Sequence, residues 1–360
     1  MKLRDRDAII TKEGLIFRVF GYAHPLDAYF CDVEYAPATL FKSNNPKASR
    51  GDQHTFYKFY EDEGWKLIQN KFTQHLIFHQ MLQREIIGVA YDAFLEVRKP
   101  EEKLNNIFTG EPKDELTCAL QNAVKTVIEY SVLSSNDFGV FGSILHGFHH
   151  PKLSDIDLTI YGQDKIIELR ETLHEFYGDT ASPLMNEFET NESIKGKYWR
   201  FRNITPKEFV RHQRRKLIYA KFRDPKSGRT IKTEFEPVRD WREISNDYDV
   251  EARIVQKGWV KMLARVTDDA DSPFMPSIYI IEPLKILGGS KNAIETKRVI
   301  SYMEEFRMQA CKDETVYVEG NLEEVTNHKG SFYQIALTYC PRYYEQTLKA
   351  AFLSSNSQES

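Results

Sequence analysis

Residues 141–158 read Phe141-Gly142-Ser143-Ile144-Leu145-His146-Gly147-Phe148-His149-His150-Pro151-Lys152-Leu153-Ser154-Asp155-Ile156-Asp157-Leu158. The glycine–serine pair follows an apolar run, Phe138-Gly139-Val140-Phe141, and the two aspartates flank an isoleucine. Alternate side chains of a strand share a face, so Asp155 and Asp157 point one way while Ile156 and Leu158 point into a core. Neighbouring carboxylates raise each other's pKa unless a cation neutralises them. Hard oxygen ligands of this kind suit Mg2+, which takes substrate phosphates as further ligands. The glycine before Ser143 lets backbone amides come close to a phosphate. These residues together predict phosphoryl or nucleotidyl transfer chemistry.

The stretch resembles the signature of the polymerase-beta-like nucleotidyltransferase superfamily: an apolar residue, Gly, Gly or Ser, a gap, then acid-apolar-acid. The wider segment from Gly142 to Gly162 is similar to a family of predicted archaeal nucleotidyltransferases. The likeness extends to Glu13-Gly14-Leu15-Ile16-Phe17 and to Val318-Glu319-Gly320-Asn321-Leu322-Glu323. The resemblance implies transfer of a nucleoside monophosphate from a nucleoside triphosphate to an acceptor hydroxyl, with release of pyrophosphate. It implies that Asp155 and Asp157 hold Mg2+ or Mn2+, and that Gly142, Ser143 and Ser154 bind the nucleotide. A third acid on a neighbouring strand completes such sites. In Thr230-Ile231-Lys232-Thr233-Glu234-Phe235-Glu236-Pro237, Glu234 and Glu236 share a face. RNA-directed members of the superfamily carry the acid three residues before a proline, which points to Glu234 as catalytic residue and metal ligand. Most carry Asp there, so the longer Glu is a departure, and Glu236 stays as the alternative. The family supplies a reaction class and no acceptor.

Composition bounds the rest. A chain of 360 residues exceeds one typical core, so two or three domains are expected. With 19 Tyr and 23 Phe the sequence favours substantial β structure. Its longest apolar run, 277–287, is broken by Glu282, Pro283 and Lys285, well short of a membrane span. Met1 to Asp7 lacks the apolar stretch of a secretory signal. Cys31, Cys118, Cys311 and Cys340 are scattered and read as reduced thiols of a cytoplasmic protein.

Apolar spacing predicts strands over 8–37, a loop over 39–64, and a helix from Trp65 to about Val97 on a stripe of Leu67, Ile68, Phe72, Leu76, Ile77 and Met81. Further helices are expected over 112–132, 164–176 and 206–215. Strands 217–222 and 230–236 flank the turn sequence Asp224-Pro225-Lys226-Ser227-Gly228 and predict a hairpin. Strands are expected over 254–266, 276–281, 316–322 and 332–337. A faint echo links Lys12-Glu13-Gly14 through Pro37 with Lys257-Gly258 through Pro283; an old duplication and two ordinary strand-turn-strand patterns both account for it.

Residues 195–232 hold 14 basic side chains against two acids, in a chain of net charge −4. Such segregation suggests a polyanionic partner, either the triphosphate alone or also an RNA acceptor. Arg214 and Arg215 are the expected nucleotide contacts, and Arg211, Arg214, Arg215 and Lys216 are expected to line one groove to the acid pair. Tyr198, Trp199 and Phe201 are interleaved as a base-stacking surface requires, or else they belong to a core. His146, His149 and His150 have no nearby Cys and read as loop structure or substrate contacts, rather than a zinc site. His75 and His79 are four apart on the expected helix, but no Glu follows His75, which removes a metalloprotease reading.

The expected architecture is α/β in the α+β sense. A central nucleotidyltransferase domain, 106–245, has a small mixed sheet with packed helices. A β-rich module with a long helix (1–105) precedes it, a β-rich module (246–350) follows, and 351–360 is a disordered tail. The rival readings are a catalytically inactive nucleic-acid-binding or regulatory protein, and a nucleotidyltransferase acting on a small molecule or a protein.

Overall fold

A computed structural model of the chain describes residues 2–51, 55–196, 198–246 and 248–351. They form an α+β structure of two compact units. The first unit takes its described residues from 1–79, 84–189 and 217–248; the second from 80–83, 190–216 and 249–351. The border expected at residue 105 thus falls inside the first unit, and 190–216 belong to the second. The expected tail beyond Ala351 lies outside the described residues.

The first unit begins with β1 (Ala8–Thr11), β2 (Ile16–Val19), β3 (Ala28–Pro37), β4 (Ser49–Arg50) and β5 (Phe56–Lys58). After α1 (Glu63–Lys71) come β6 (Leu76–His79), β7 (Arg84–Ala90) and β8 (Phe94–Arg98). These strands make an antiparallel sheet ordered β4-β5-β3-β2-β1-β8, with the β6–β7 hairpin joined to β3. Ile9, Leu15, Phe17, Val33, Leu67 and Ile68 are in its core.

The chain continues through α2 (Pro100–Thr109), α3 (Glu115–Glu129), β9 (Phe138–Val140), α4 (Gly142–His146), β10 (Ile156–Tyr161), α5 (Gln163–Gly178) and β11 (Leu184–Asn186). It then leaves for the second unit through α6 (Pro206–Lys216) and returns as the hairpin β12 (Tyr219–Arg223) and β13 (Thr230–Val238). The second sheet runs β11-β12-β13-β10-β9, with β10 and β13 parallel and the other pairs antiparallel. Asp114 starts α3 by a reciprocal capping box with Thr117. Leu116, Leu120, Val124 and Val127 then recur at helical spacing and are fully buried. Helix α3 packs on α5, and α5 on β10. Ile156, Leu158 and Ile160 on β10 are wholly buried, each worth about 1.5–3 kcal/mol of apolar transfer.

The second unit is built on β14 (Arg253–Asp268), β15 (Ser277–Gly288), β16 (Thr296–Ser301), β17 (Thr315–Asn327), β18 (Gly330–Leu337) and β19 (Thr347–Ala350). Five strands close on themselves in the order β14-β15-β16-β18-β17-β14, with only the β16–β18 pair parallel. Numbered within the barrel this is 1-2-3-5-4-1, the connectivity of an OB-type Greek-key barrel. Val260, Met262, Tyr279, Val299, Val318 and Ile335 fill the interior. Ile204 joins that core, and Trp199, Phe201 and Phe209 pack against it. Helix α6 is tied to the β16–β17 connection, where Lys216 Nζ donates to the Glu305 carbonyl at 2.8 Å.

One expectation gives way, and two readings left open are narrowed. The long helix over 65–97 stops at Lys71, and the rest of that range is a hairpin and the edge strand β8. Its helical stripe coexists with β-formers (Ile77, Phe78, Ile86, Ile87, Val89), and pairing of β7 with β3 decides between them. His75 and His79 therefore share no helix. Trp199 and Phe201 serve the barrel core and are no stacking surface, while Tyr198 is exposed. Of the two accounts of the internal echo, duplication loses support: Gly14 is in the β1–β2 turn, whereas Gly258 sits at a bulge inside the continuous strand β14. No helix among the described residues is long and apolar enough to cross a membrane.

Gly139 on β9 is a sharp test of the second sheet. A Cβ there would stand 2.5 Å from both Thr159 Oγ1 and Tyr161 Oη and 2.7 Å from Pro100 Cβ. Gly139→Ala is expected to destabilise the first unit by about 2 kcal/mol, read as a lower urea midpoint with an unchanged slope.

Candidate active site

Strand β10 lies parallel to β13 with Asp157 opposite Glu234 and Thr159 opposite Glu236. Paired positions share a face, so Asp157, Glu234 and Glu236 project to the same side of the sheet. The apolar partners Ile156, Leu158 and Phe235 fill the other side. Asp155 sits just ahead of β10 and is exposed, whereas Asp157 and Glu234 are partly covered.

Strand β9 delivers the Gly142–Ser143 turn beside the acids. The Phe141 amide donates to the Asp157 carbonyl at 3.0 Å. Gly142 has φ +61, and a Cβ on it would meet Asp157 Oδ2 at 2.5 Å. Only glycine admits the backbone so close to that carboxylate. Ser143 is nearly buried, and its carbonyl accepts from the Phe148 amide at 3.2 Å. Ser154 closes the loop before the acids, its hydroxyl accepting from the His150 amide at 2.9 Å.

Burial pushes the Asp157 carboxyl up to about 6, and the nearby charges of Asp155 and Glu236 add to it; Lys58 and Lys232 pull the other way. Asp155, though its surface is open on one side, is also raised by partial desolvation, against Lys232, Arg229 and Lys58. Glu234 is raised well above the usual range by burial, then by the charge of Glu236 and a hydrogen bond with it, then by Asp157. Glu236 itself is buried and ion-paired to Arg6 at 2.6 Å. The two glutamates thus differ: Glu236 is committed to a guanidinium, and Glu234 faces Asp157.

The donor set fits a hard divalent cation. Three carboxylates are raised toward their neutral forms, chiefly by burial, and all ligating atoms would be oxygens. Among the described residues, no three acid, His or Cys side chains already converge as a metal-binding group.

His146 and His149 are held by neighbours within the fold. His146 is stacked on Phe148, lies 3.3 Å from Arg98 Nη1, and is depressed to about 3 by burial. His149 Nε2 lies 2.9 Å from Asp114 Oδ2, beside the α3 cap. Arg214 and Arg215 belong to α6 in the second unit: Arg214 is exposed, and Arg215 is ion-paired with Glu314. Lys216 is fully buried, which removes it from the expected groove. Sequence reasoning passed over Arg6, Tyr35 and Lys58. Arg6 had a signal, the run Arg4-Asp5-Arg6-Asp7, all four of which are buried. Lys58 had none, because its place depends on pairing between β3 and β5.

Among known proteins, the chain is 28% identical over 343 residues to the uncharacterized protein MJ1086 of Methanocaldococcus jannaschii, covering 93% of this chain and 94% of that one. No family model matches, and no solved structure matches.

The raised Asp157 has a stability consequence. Its folded pKa lies above the unfolded value, so its contribution is greatest below about pH 4 and is lost as pH rises through about 6. Asp157→Asn should therefore stabilise the protein above pH 6 by about 1–2 kcal/mol, after allowance for partial solvent screening, and do little at pH 4. Thermal melts in a chelator across pH 4–8 check the sign.

Proposed function

We propose that the protein is a metal-dependent nucleotidyltransferase that moves a nucleoside monophosphate from a nucleoside triphosphate to an acceptor hydroxyl. The observation that carries the reading is the juxtaposition of Asp157 and Glu234 on paired parallel strands, with the Gly142–Ser143 turn packed against Asp157. Asp155 and Asp157, with Glu234, would hold Mg2+ or Mn2+. Such an ion supplies charge stabilisation for the attacking and leaving oxygens. Glu234, opposite Asp157 on the paired strand, is the group placed to take the proton of the acceptor hydroxyl. Backbone amides of Gly142 and Ser143, with Ser154, bind the nucleotide.

For the acceptor we favour RNA. Lys207, Arg211 and Arg214 recur at helical spacing on the exposed side of α6. The barrel of the same unit is of a type on which other proteins bind oligonucleotides and oligosaccharides. Both features support a polymeric, anionic acceptor over a small one.

Incubation with radiolabelled triphosphates, Mg2+ or Mn2+, and total RNA or a metabolite extract tests the reaction. Asp155→Asn and Asp157→Asn should each abolish turnover while the protein still melts cooperatively. Glu234→Gln should lower turnover by about two orders of magnitude or more, the scale of a lost general base. Wild-type activity in the aspartate variants would remove the assignment.

The acceptor is tested separately by filter binding to a tRNA pool across a salt series. Arg211→Ala with Arg214→Ala should flatten the slope by about 0.7 per lost single-strand phosphate contact, and by more on a duplex. Weak binding with no salt slope in the wild type would exclude RNA.

A further inference from the structure

The N-terminal sheet reaches the acid pair through its edge. On β3 and β5, Tyr35 is opposite Lys58 and Pro37 opposite Phe56; on β4, Arg50 is opposite Phe56. Tyr35, Phe56, Lys58 and Arg50 therefore share one face. That face rests on the loop after α4. Phe148 stacks on Phe56 at 5.2 Å and meets Tyr35 edge-on at 4.9 Å, and the Gly51 amide donates to the Phe148 carbonyl at 3.3 Å. The Phe148 amide in turn bonds the Ser143 carbonyl, so the hairpin is fastened to the turn beside the acids.

Three cations act on Asp155: Lys232, Arg229 and Lys58. Two are tied into the fold. Lys232 pairs with Glu187 at 3.4 Å, and Arg229 donates to the Pro151 and Ser154 carbonyls at 2.7 and 3.1 Å. Lys58 is near enough to both aspartates to lower them slightly, yet among the described residues it forms no ion pair. Lys58 thus projects from the face that packs on Phe148, beside the turn that carries Ser143, and the natural counterpart of a long cation there is an anion bound at the metal.

We propose that Lys58, presented by the β4–β5 hairpin, is the polyphosphate-binding residue of this site and contacts the phosphates of the nucleoside triphosphate that leave as pyrophosphate. The assignment rests on the nucleotidyltransferase reading above. It gives the N-terminal sheet a direct part in substrate binding.

The probe is inorganic tripolyphosphate with Mg2+, titrated calorimetrically into the full chain. Lys58→Met, which keeps the apolar stem, should weaken binding about tenfold or more, and Lys58→Arg should restore most of it, as loss and return of a charge-assisted contact require. KM for the triphosphate should rise in step while kcat stays within about threefold, the pattern of lost uniform binding. Lys66→Ala, exposed on α1, is the control. Unchanged tripolyphosphate binding in a Lys58→Met protein of wild-type melting temperature would overturn the proposal. So would loss of binding in Lys66→Ala to the same degree. Lys58-dependent tripolyphosphate binding without any triphosphate turnover would uphold the anion site and defeat the transferase reading instead.

Discussion

Like charge gathered on one side of two parallel strands is the constraint on which the first unit depends. Asp157, Glu234 and Glu236 would repel one another in any fold, and burial multiplies the cost. The protein meets it unevenly. Glu236 receives the guanidinium of Arg6, whose other side faces the Phe141 ring, just before the Gly142 turn. Arg6 has φ +73, an unfavourable backbone for a side chain of that size, so the pairing outweighs local strain of order 1 kcal/mol. Among the described residues, Asp157 and Glu234 form no ion pair of that kind, and burial raises both carboxyls. A fold optimised for stability alone would not leave them so.

The buried charges of the N-terminal segment extend the same logic. Arg4 pairs with Glu101 and lies over the Tyr161 ring, at the far end of the strand that carries Asp157. The Asp5 carboxylate accepts from the Gly21 amide at 2.8 Å. Both arginines reach partners distant in sequence, Arg4 at the end of β10 and Arg6 on the neighbouring β13, and the segment does so without contributing a strand to their sheet.

Much of the site was legible because its signals are local. Alternation in Asp155-Ile156-Asp157-Leu158 gives the face of each side chain whatever the neighbours, and a turn-rich pentapeptide fixes the β12–β13 hairpin. The choice between Glu234 and Glu236 was not legible. Both are on the correct face, and only the register against β10 and the presence of Arg6 separate them. The same limit explains the hairpin misread as helix after Lys71 and the aromatics of 199–201. Periodicity reports that a residue is apolar, whereas the surface it meets is set by strands remote in the chain. Barrel closure, through pairing of β14 with β17, lies wholly beyond local pattern.

The chain's excursion from β11 through α6 and back to β12 has a consequence for synthesis. The strand bearing Asp157 lies between β9 and β13, so its sheet lacks a neighbour on one side until residue 238 has been made. Helix α6 is made before that point, yet the barrel that Phe209 and Lys216 pack against is still unmade. The nascent chain must carry a basic helix with an uncovered apolar side for more than a hundred residues of elongation. A helix in that condition is a natural client for a holding chaperone, and slow translation of the barrel would prolong its exposure.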